Sequence, residues 1–171
     1  MESDLRFRRV GVEEADVLSL LWSRANARWC SAPAPSAADP KRVEQLRERL
    51  QRPGSIAIVG EHGRVPVACC FATPLVLADG SKSTTGAHIS GLAVAPEHWG
   101  KGYGDTTLAF FERLLGTVGY EFAQLHVLES NCRARRLYER RDWRFISSGH
   151  PHSDGDQAVY EKQLGARSAG A

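Results

Sequence analysis

The chain has 171 residues, 42% hydrophobic and 25% charged, with a net charge of +2 at pH 7. That length suits a single domain able to bury a sizeable core, and so small a charge gives no strongly basic face for nucleic acid. No apolar run is long enough to span a bilayer, and Met1–Val10 lacks the apolar core of a secretory signal, so the expected location is the cytoplasm.

In chain order, Leu5–Val10 alternates like a strand, and Val12–Asp16 opens a helix reaching about Arg28. Residues 31–40, with three prolines among small residues, read as a linker. Asp39 caps a second helix with Pro40 in its first turn, running to about Gln51, and Pro53-Gly54 ends it. Ser55–Gly60 and Val65–Thr73 are strands joined by a hairpin turn at Glu61–Arg64. Asp79–Ser83 is another turn, followed by a strand at Thr85–Val94. A glycine-rich turn then leads into an amphipathic helix whose apolar residues are Leu108, Phe111, Leu114, Leu115 and Val118. Glu121–Leu128 is a strand, and Asn131 caps a helix with Ala134, Leu137, Tyr138 and Arg141 on one stripe. Arg144–Ser148 and Ala158–Lys162 form a last hairpin around His150–Asp156. No internal repeat or second domain is visible: residues 1–164 read as one domain and 165–171 as a mobile tail.

The four cysteines, Cys30, Cys69, Cys70 and Cys132, have no metal or redox spacing and read as free, mostly buried thiols. Cys132 has no evident base beside it in sequence, so packing is favoured over a nucleophilic role. Two histidines and two aspartates lie in 150–156, but turn composition accounts for them as well as chelation does, and no metal is expected.

The chemistry concentrates in Ser90–Leu115. A short apolar run, Leu92-Ala93-Val94, stops before Pro96; glycines follow at alternate positions, Gly100, Gly102 and Gly104, and then the helix begins. The first amides of a helix lack intrahelical acceptors and carry partial positive charge. A strand, glycine turn and helix N-terminus therefore make a cradle for phosphate. Neither G-x-G-x-x-G nor G-x-x-x-x-G-K-[ST] fits here.

"LAVAPEHWGKGYG" resembles the [QR]-x-x-G-x-[GA] motif, following LxVxP, of the GNAT N-acetyltransferases, with Trp99 in place of the usual Gln or Arg. Asn131–Trp143 is similar to a second block of that family, N-x-x-A-x-x-L-Y-x-x-x-G-F, with Asp142-Trp143 replacing Gly-Phe. The element order also fits. The resemblance implies a mixed α/β (α+β) fold: a central mixed, mostly antiparallel sheet of about seven strands flanked by four helices. It implies acetyl-CoA as acyl donor, held by Leu92, Ala93, Val94, Gly100, Lys101, Gly102, Tyr103, Gly104, Asp105, Thr106, Asn131 and Tyr138. The Val94 N–H would serve the oxyanion and the Tyr138 phenol would protonate the departing thiolate.

An alkyl amine titrates near 10.4, so a general base is useful at neutral pH. In the histone-acetylating branch an acidic base sits six residues before the "V" of "LAV", and His88 takes that position here. An imidazole suits the task at neutral pH; His126 is the reserve candidate and Glu129 a weaker one. Arg133, Arg135, Arg136, Arg140 and Arg141 read as a solvated helix face, with one or two available to the coenzyme's 3′-phosphate. The final hairpin and the region 22–40, with Trp22 and Trp29, would wall the acceptor.

The expected acceptor is a primary amine on a small molecule: an antibiotic, another metabolite, an amino acid or a polyamine. Protein N-terminal or lysyl acetylation is the alternative, and a coenzyme-binding sensor without turnover a third reading. A homodimer is compatible with all of them; nucleic-acid and membrane partners are not expected. The 18 arginines against 4 lysines do not identify an acceptor.

Overall fold

The computed structural model describes residues 4–27 and 33–165. Trp29, Cys30 and the tail beyond 165 lie outside the described residues. Seven strands and four helices follow one another as β1 (Leu5–Val10), α1 (Ala15–Ala27), α2 (Pro40–Leu50), β2 (Ile56–His62), β3 (Val65–Val76), β4 (Lys82–Val94), α3 (Tyr103–Val118), β5 (Phe122–Leu128), α4 (Cys132–Arg140), β6 (Arg144–His150) and β7 (Gln157–Gln163). Short 3₁₀ turns precede α1 and fill Pro96–His98. The sheet order is β1-β2-β3-β4-β5-β7-β6. β4 and β5 pair in parallel, whereas β1–β2, β2–β3, β5–β7 and β6–β7 are antiparallel. This is the mixed, mostly antiparallel sheet with four helices that the resemblance implies.

The chain divides into two compact units, Met1–Thr73 with Gly91–Phe111, and Pro74–Ser90 with Glu112–Ala171. In the first, Leu5, Leu18, Leu21, Val43, Leu46, Val59, Val67 and Phe71 form the core, with Trp22 packed against it. Burying each large side chain is worth about 1.5–3 kcal/mol. Asp39 caps α2 by accepting from the Lys41 N–H at 3.0 Å, with Pro40 at the first helical position. β2 and β3 are joined by Gly63-Arg64, both at positive φ (57° and 69°). Two left-handed residues give the turn a twist that matches its strands. The hairpin is therefore tighter than Glu61–Arg64, and β2 runs on to His62. Cys69 is fully buried, and burial pushes its thiol up to about 12 against a weaker opposing bond from the Ala93 backbone. It is inert at neutral pH.

In the second unit, Ala123, Leu125, Val127, Ala158 and Tyr160 are buried along β5 and β7. Their even-numbered β5 neighbours Phe122, Gln124, His126 and Leu128 occupy the opposite face, as strand alternation requires. The second half of α3 places Glu112, 8% exposed, among three donors: Arg141 Nη2 at 2.8 Å, Trp143 Nε1 at 2.8 Å and Lys162 Nζ at 2.9 Å. Lys162 also donates to the Arg141 carbonyl at 2.6 Å. These bonds fix the turn after α4, where Asp142 stands at φ 61°.

Candidate active site

In the first unit, β4 ends where the Ala95 N–H donates to the Val67 carbonyl at 2.8 Å. Arg24 on α1 holds the next segment by pairing with Glu97 at 2.9 Å. Gly100 and Gly102 then take φ of 84° and 78°, and no atom lies within 4 Å of where a Cβ on either would sit. The Thr106 N–H donates to the Gly102 carbonyl at 3.1 Å, the opening bond of α3. The amides of Tyr103, Gly104 and Asp105 thus belong to the first turn, where no intrahelical acceptor exists. Open space over a left-handed turn, backed by such amides at the positive end of a 16-residue helix, fits a phosphate.

The side chains around this turn divide between support and exposure. Trp99, standing where the motif has Gln or Arg, donates from Nε1 to the Val94 carbonyl at 2.7 Å and ties the loop back to the strand end. Tyr103 is buried; its hydroxyl lies 3.1 Å from His62 Nδ1 and its ring stacks on His98 with centroids 5.7 Å apart. Thr106 Oγ1 donates to the Gly102 carbonyl at 3.2 Å. Lys101 is exposed beside His98, Nζ to Nδ1 3.4 Å. Ala93 is buried in the core and can offer a ligand only its main chain, while Leu92 and Val94 are half-buried.

The second unit gathers the proposed proton-transfer groups. β4 and β5 pair from Gly86↔Phe122 to Ile89↔Leu125, so His88 lies beside Gln124, which lies opposite Glu161 of β7. Gln124 Nε2 donates to Glu161 Oε2 at 2.9 Å. The rings of His88 and His126 meet edge-on, centroids 5.2 Å apart at 89°, and His126 is 5.6 Å from His150. Burial and then the neighbouring His150 hold the His126 pKa below its usual value, against a bond with Gln157. Ser90, two residues after His88 on the same face, has a buried Oγ with no hydrogen-bond partner. Nothing in the local sequence marks it, because an orphaned hydroxyl is visible only in three dimensions.

Tyr138 is buried on α4, its ring centroid 6.0 Å from both Trp143 and Tyr160. Asn131 is the helix cap, its Oδ1 accepting from the Ala134 N–H at 3.1 Å. Glu129 is occupied by the last hairpin, accepting from the Gly149 N–H at 2.9 Å.

The arginine-rich helix is not uniformly a solvated face. Arg135 donates to the Tyr160 hydroxyl at 3.1 Å and to the Glu129 carbonyl at 3.2 Å, and Arg141 pairs with Glu112. Arg133, Arg136 and Arg140 are exposed, as is Cys132. Among the described residues no cluster of three or more His, Cys, Asp or Glu could hold a metal ion. No helix among them is long and apolar enough to cross a membrane.

The family model of the GNAT acetyltransferases matches residues 20–143, which include both the glycine turn and α4. The chain belongs to the GNAT acetyltransferase family. None of the curated proteins matches this GNAT chain. Among solved structures, the ribosomal-protein-S18-alanine N-acetyltransferase of Escherichia coli shares 17% identity, covers 98% of each chain and superposes with a TM-score of 0.70. A Salmonella typhimurium structure with acetyl-CoA as its cofactor shares 16% identity over 98% of each chain, TM-score 0.72. An acetyltransferase from Thermus thermophilus shares 20%, covering 94% of this chain and 97% of that one, TM-score 0.68. At these identities the likeness is one of fold.

Proposed function

We propose that this acetyltransferase moves the acetyl group of acetyl-CoA to a primary amine on a small molecule. The glycine turn supports the donor: first-turn amides and open space above Gly100 and Gly102 suit the coenzyme's pyrophosphate. Gly102 and Gly104 present the backbone, Lys101 adds a cation, and Asn131 bonds the pantetheine arm while capping α4.

His88 takes a proton from the acceptor ammonium, whose nitrogen lone pair then attacks the thioester carbonyl carbon. The resulting oxyanion is met by the Val94 N–H, since a backbone donor is an efficient stabiliser of developing charge. Collapse re-forms the carbonyl, breaks the carbon–sulfur bond and releases the amide. Tyr138 donates its phenolic proton to the departing thiolate and is reprotonated by the second proton, which the nitrogen sheds as it becomes the amide.

The observation that carries the amine acceptor is the row His88–Gln124–Glu161 across three neighbouring strands. A carboxylate fixed by Gln124 draws an ammonium toward the imidazole that must deprotonate it. At about 4.8 Å per strand the row spans roughly 10 Å, the scale of a small amine.

The test is acetyl-CoA consumption, read as released thiol, across amino-bearing antibiotics, amino acids, polyamines and peptides. Turnover is expected with small amines. Turnover confined to peptides would make this a protein acetyltransferase, and tight acetyl-CoA binding without turnover would make it a sensor.

A further inference from the structure

We propose that His126 and His150 relay to solvent the proton that His88 takes from the acceptor amine. The inference rests on the base role of His88 proposed above and extends it to two further residues.

The three rings lie on the same sheet face, on β4, on β5 and, across the intervening β7, on β6, with steps of 5.2 Å and 5.6 Å between centroids. The first pair meets at 89° between ring planes, and rings at this separation come within reach of one another as their side-chain torsions turn. A neutral imidazole has one acceptor and one donor nitrogen, so it can gain a proton at one and release a proton from the other. The amine proton binds a His88 nitrogen as the amine lone pair turns to the thioester carbon. One proton then passes to His126, one to His150, and one leaves to water or buffer. All three rings end neutral, and no electrons are transferred.

The surroundings favour transit over storage. His150 is the outward end: it is exposed, and its Nε2 lies 2.8 Å from Ser147 Oγ. His126 is bonded by Gln157 of β7, and its charged form is disfavoured by burial and by His150, so two adjacent protons are not retained. The nearest carboxylate along β7, Glu161, is held by Gln124 and lies 3.7 Å from Arg144 of β6. Glu129 is bonded to the Gly149 amide. Neither carboxylate is drawn into the row of rings to trap the proton there.

The test uses the full chain with His150→Gln, His126→Gln and His88→Ala, each confirmed folded by circular dichroism. In dilute buffer kcat should fall roughly 10-fold in His150→Gln and in His126→Gln, a fraction of the ~10²–10⁴ that a direct general base supplies. Added imidazole, a diffusible proton carrier, should restore most of that loss. In His150→Gln the His126 pKa, followed by NMR, should rise because a repelling neighbour is gone.

Full kcat in both relay variants at every pH and buffer concentration would overturn the relay, as would a loss that imidazole cannot restore. An unmoved His126 pKa would overturn the coupling on which it depends. Should His126→Gln fail to fold, the exposed His150 carries the test alone. His88→Ala separates the two readings. A large loss there beside intact His150→Gln ends the relay and leaves the base; full activity in His88→Ala ends both.

Discussion

Ser90 and Asp142 each hold a costly arrangement. A buried hydroxyl without a partner is worth about 1–3 kcal/mol against the fold, and Ser90 Oγ is such a group. Ser90→Ala should raise the melting temperature by a few degrees. It should also weaken acceptor or coenzyme binding, as steady-state KM values would show, if a ligand supplies the missing bond. A variant gaining stability with unchanged KM values would leave Ser90 without a ligand. Asp142 sits at φ 61°, where an L-residue pays about 1–2 kcal/mol. Asp142 thus holds the left-handed conformation for which glycine is best suited. Asp142→Gly should be neutral or stabilising by up to about 1 kcal/mol, whereas Asp142→Val should destabilise by about 1–2 kcal/mol in urea unfolding. Tyr138→Phe keeps the packing on Trp143 and Tyr160 but removes the donor. If the phenol serves the leaving sulfur, kcat falls roughly 10²-fold with acetyl-CoA affinity nearly unchanged. Full kcat, with chemistry limiting, would make Tyr138 a packing residue.

Among the elements, the glycine turn and the first turn of α3 are continuous, and the proposed pyrophosphate site draws on both. Gly104 lies in the first turn of α3, beside the amides assigned to the pyrophosphate. Gly104→Glu adds bulk and a like charge there, and calorimetry should find acetyl-CoA binding abolished in a folded protein. Unchanged affinity would move the coenzyme elsewhere. This turn was legible because glycine spacing, Pro96 and the helix period agree along one stretch of chain. What Trp99 does was not: its bond to the Val94 carbonyl depends on how the loop folds back. The helix α4 was legible from Asn131 as cap and from its stripe. Arg135 and Arg141 were misread, because their partners Tyr160 and Glu112 lie 25 and 29 residues away in the chain. Strand ends were also misplaced. β3 runs on through Pro74 to Val76, and β4 begins at Lys82, where tertiary pairing overrides local breaker signals.

For the whole molecule, element order carried the fold, since connections between successive elements admit few topologies. The insertion of β7 between β5 and β6 is a long-range pairing that local periodicity does not encode. The Glu112 cluster has the same character, and it links stability to pH. Burial pushes the Glu112 carboxyl up, but bonds from Arg141, Lys162 and Trp143 outweigh it and hold the pKa below the ordinary 4.5. A depressed folded-state pKa contributes stability above the unfolded value, lost as pH falls through the folded one. Glu112→Gln should cost about 2–3 kcal/mol at pH 7, less than a fully buried pair because Arg141 and Lys162 keep 20% exposure. The gap between wild type and variant should narrow below about pH 4, as denaturation series across pH would show. A constant gap would mean that Glu112 acts through shape alone.

The same cluster decides which of the enzyme's own amines are at risk from its acyl donor. The chain has four lysines, Lys41, Lys82, Lys101 and Lys162. The first three are exposed, but the Lys162 ammonium is bound to Glu112 and to the Arg141 carbonyl and must break both contacts before its nitrogen can attack a thioester. Prolonged incubation with acetyl-CoA should therefore modify Lys41, Lys82 or Lys101 and spare Lys162, as peptide mass spectrometry would record. In Glu112→Gln, Lys162 should join the acetylated set. The ion cluster is then also chemical protection, keeping one internal amine away from the acyl donor.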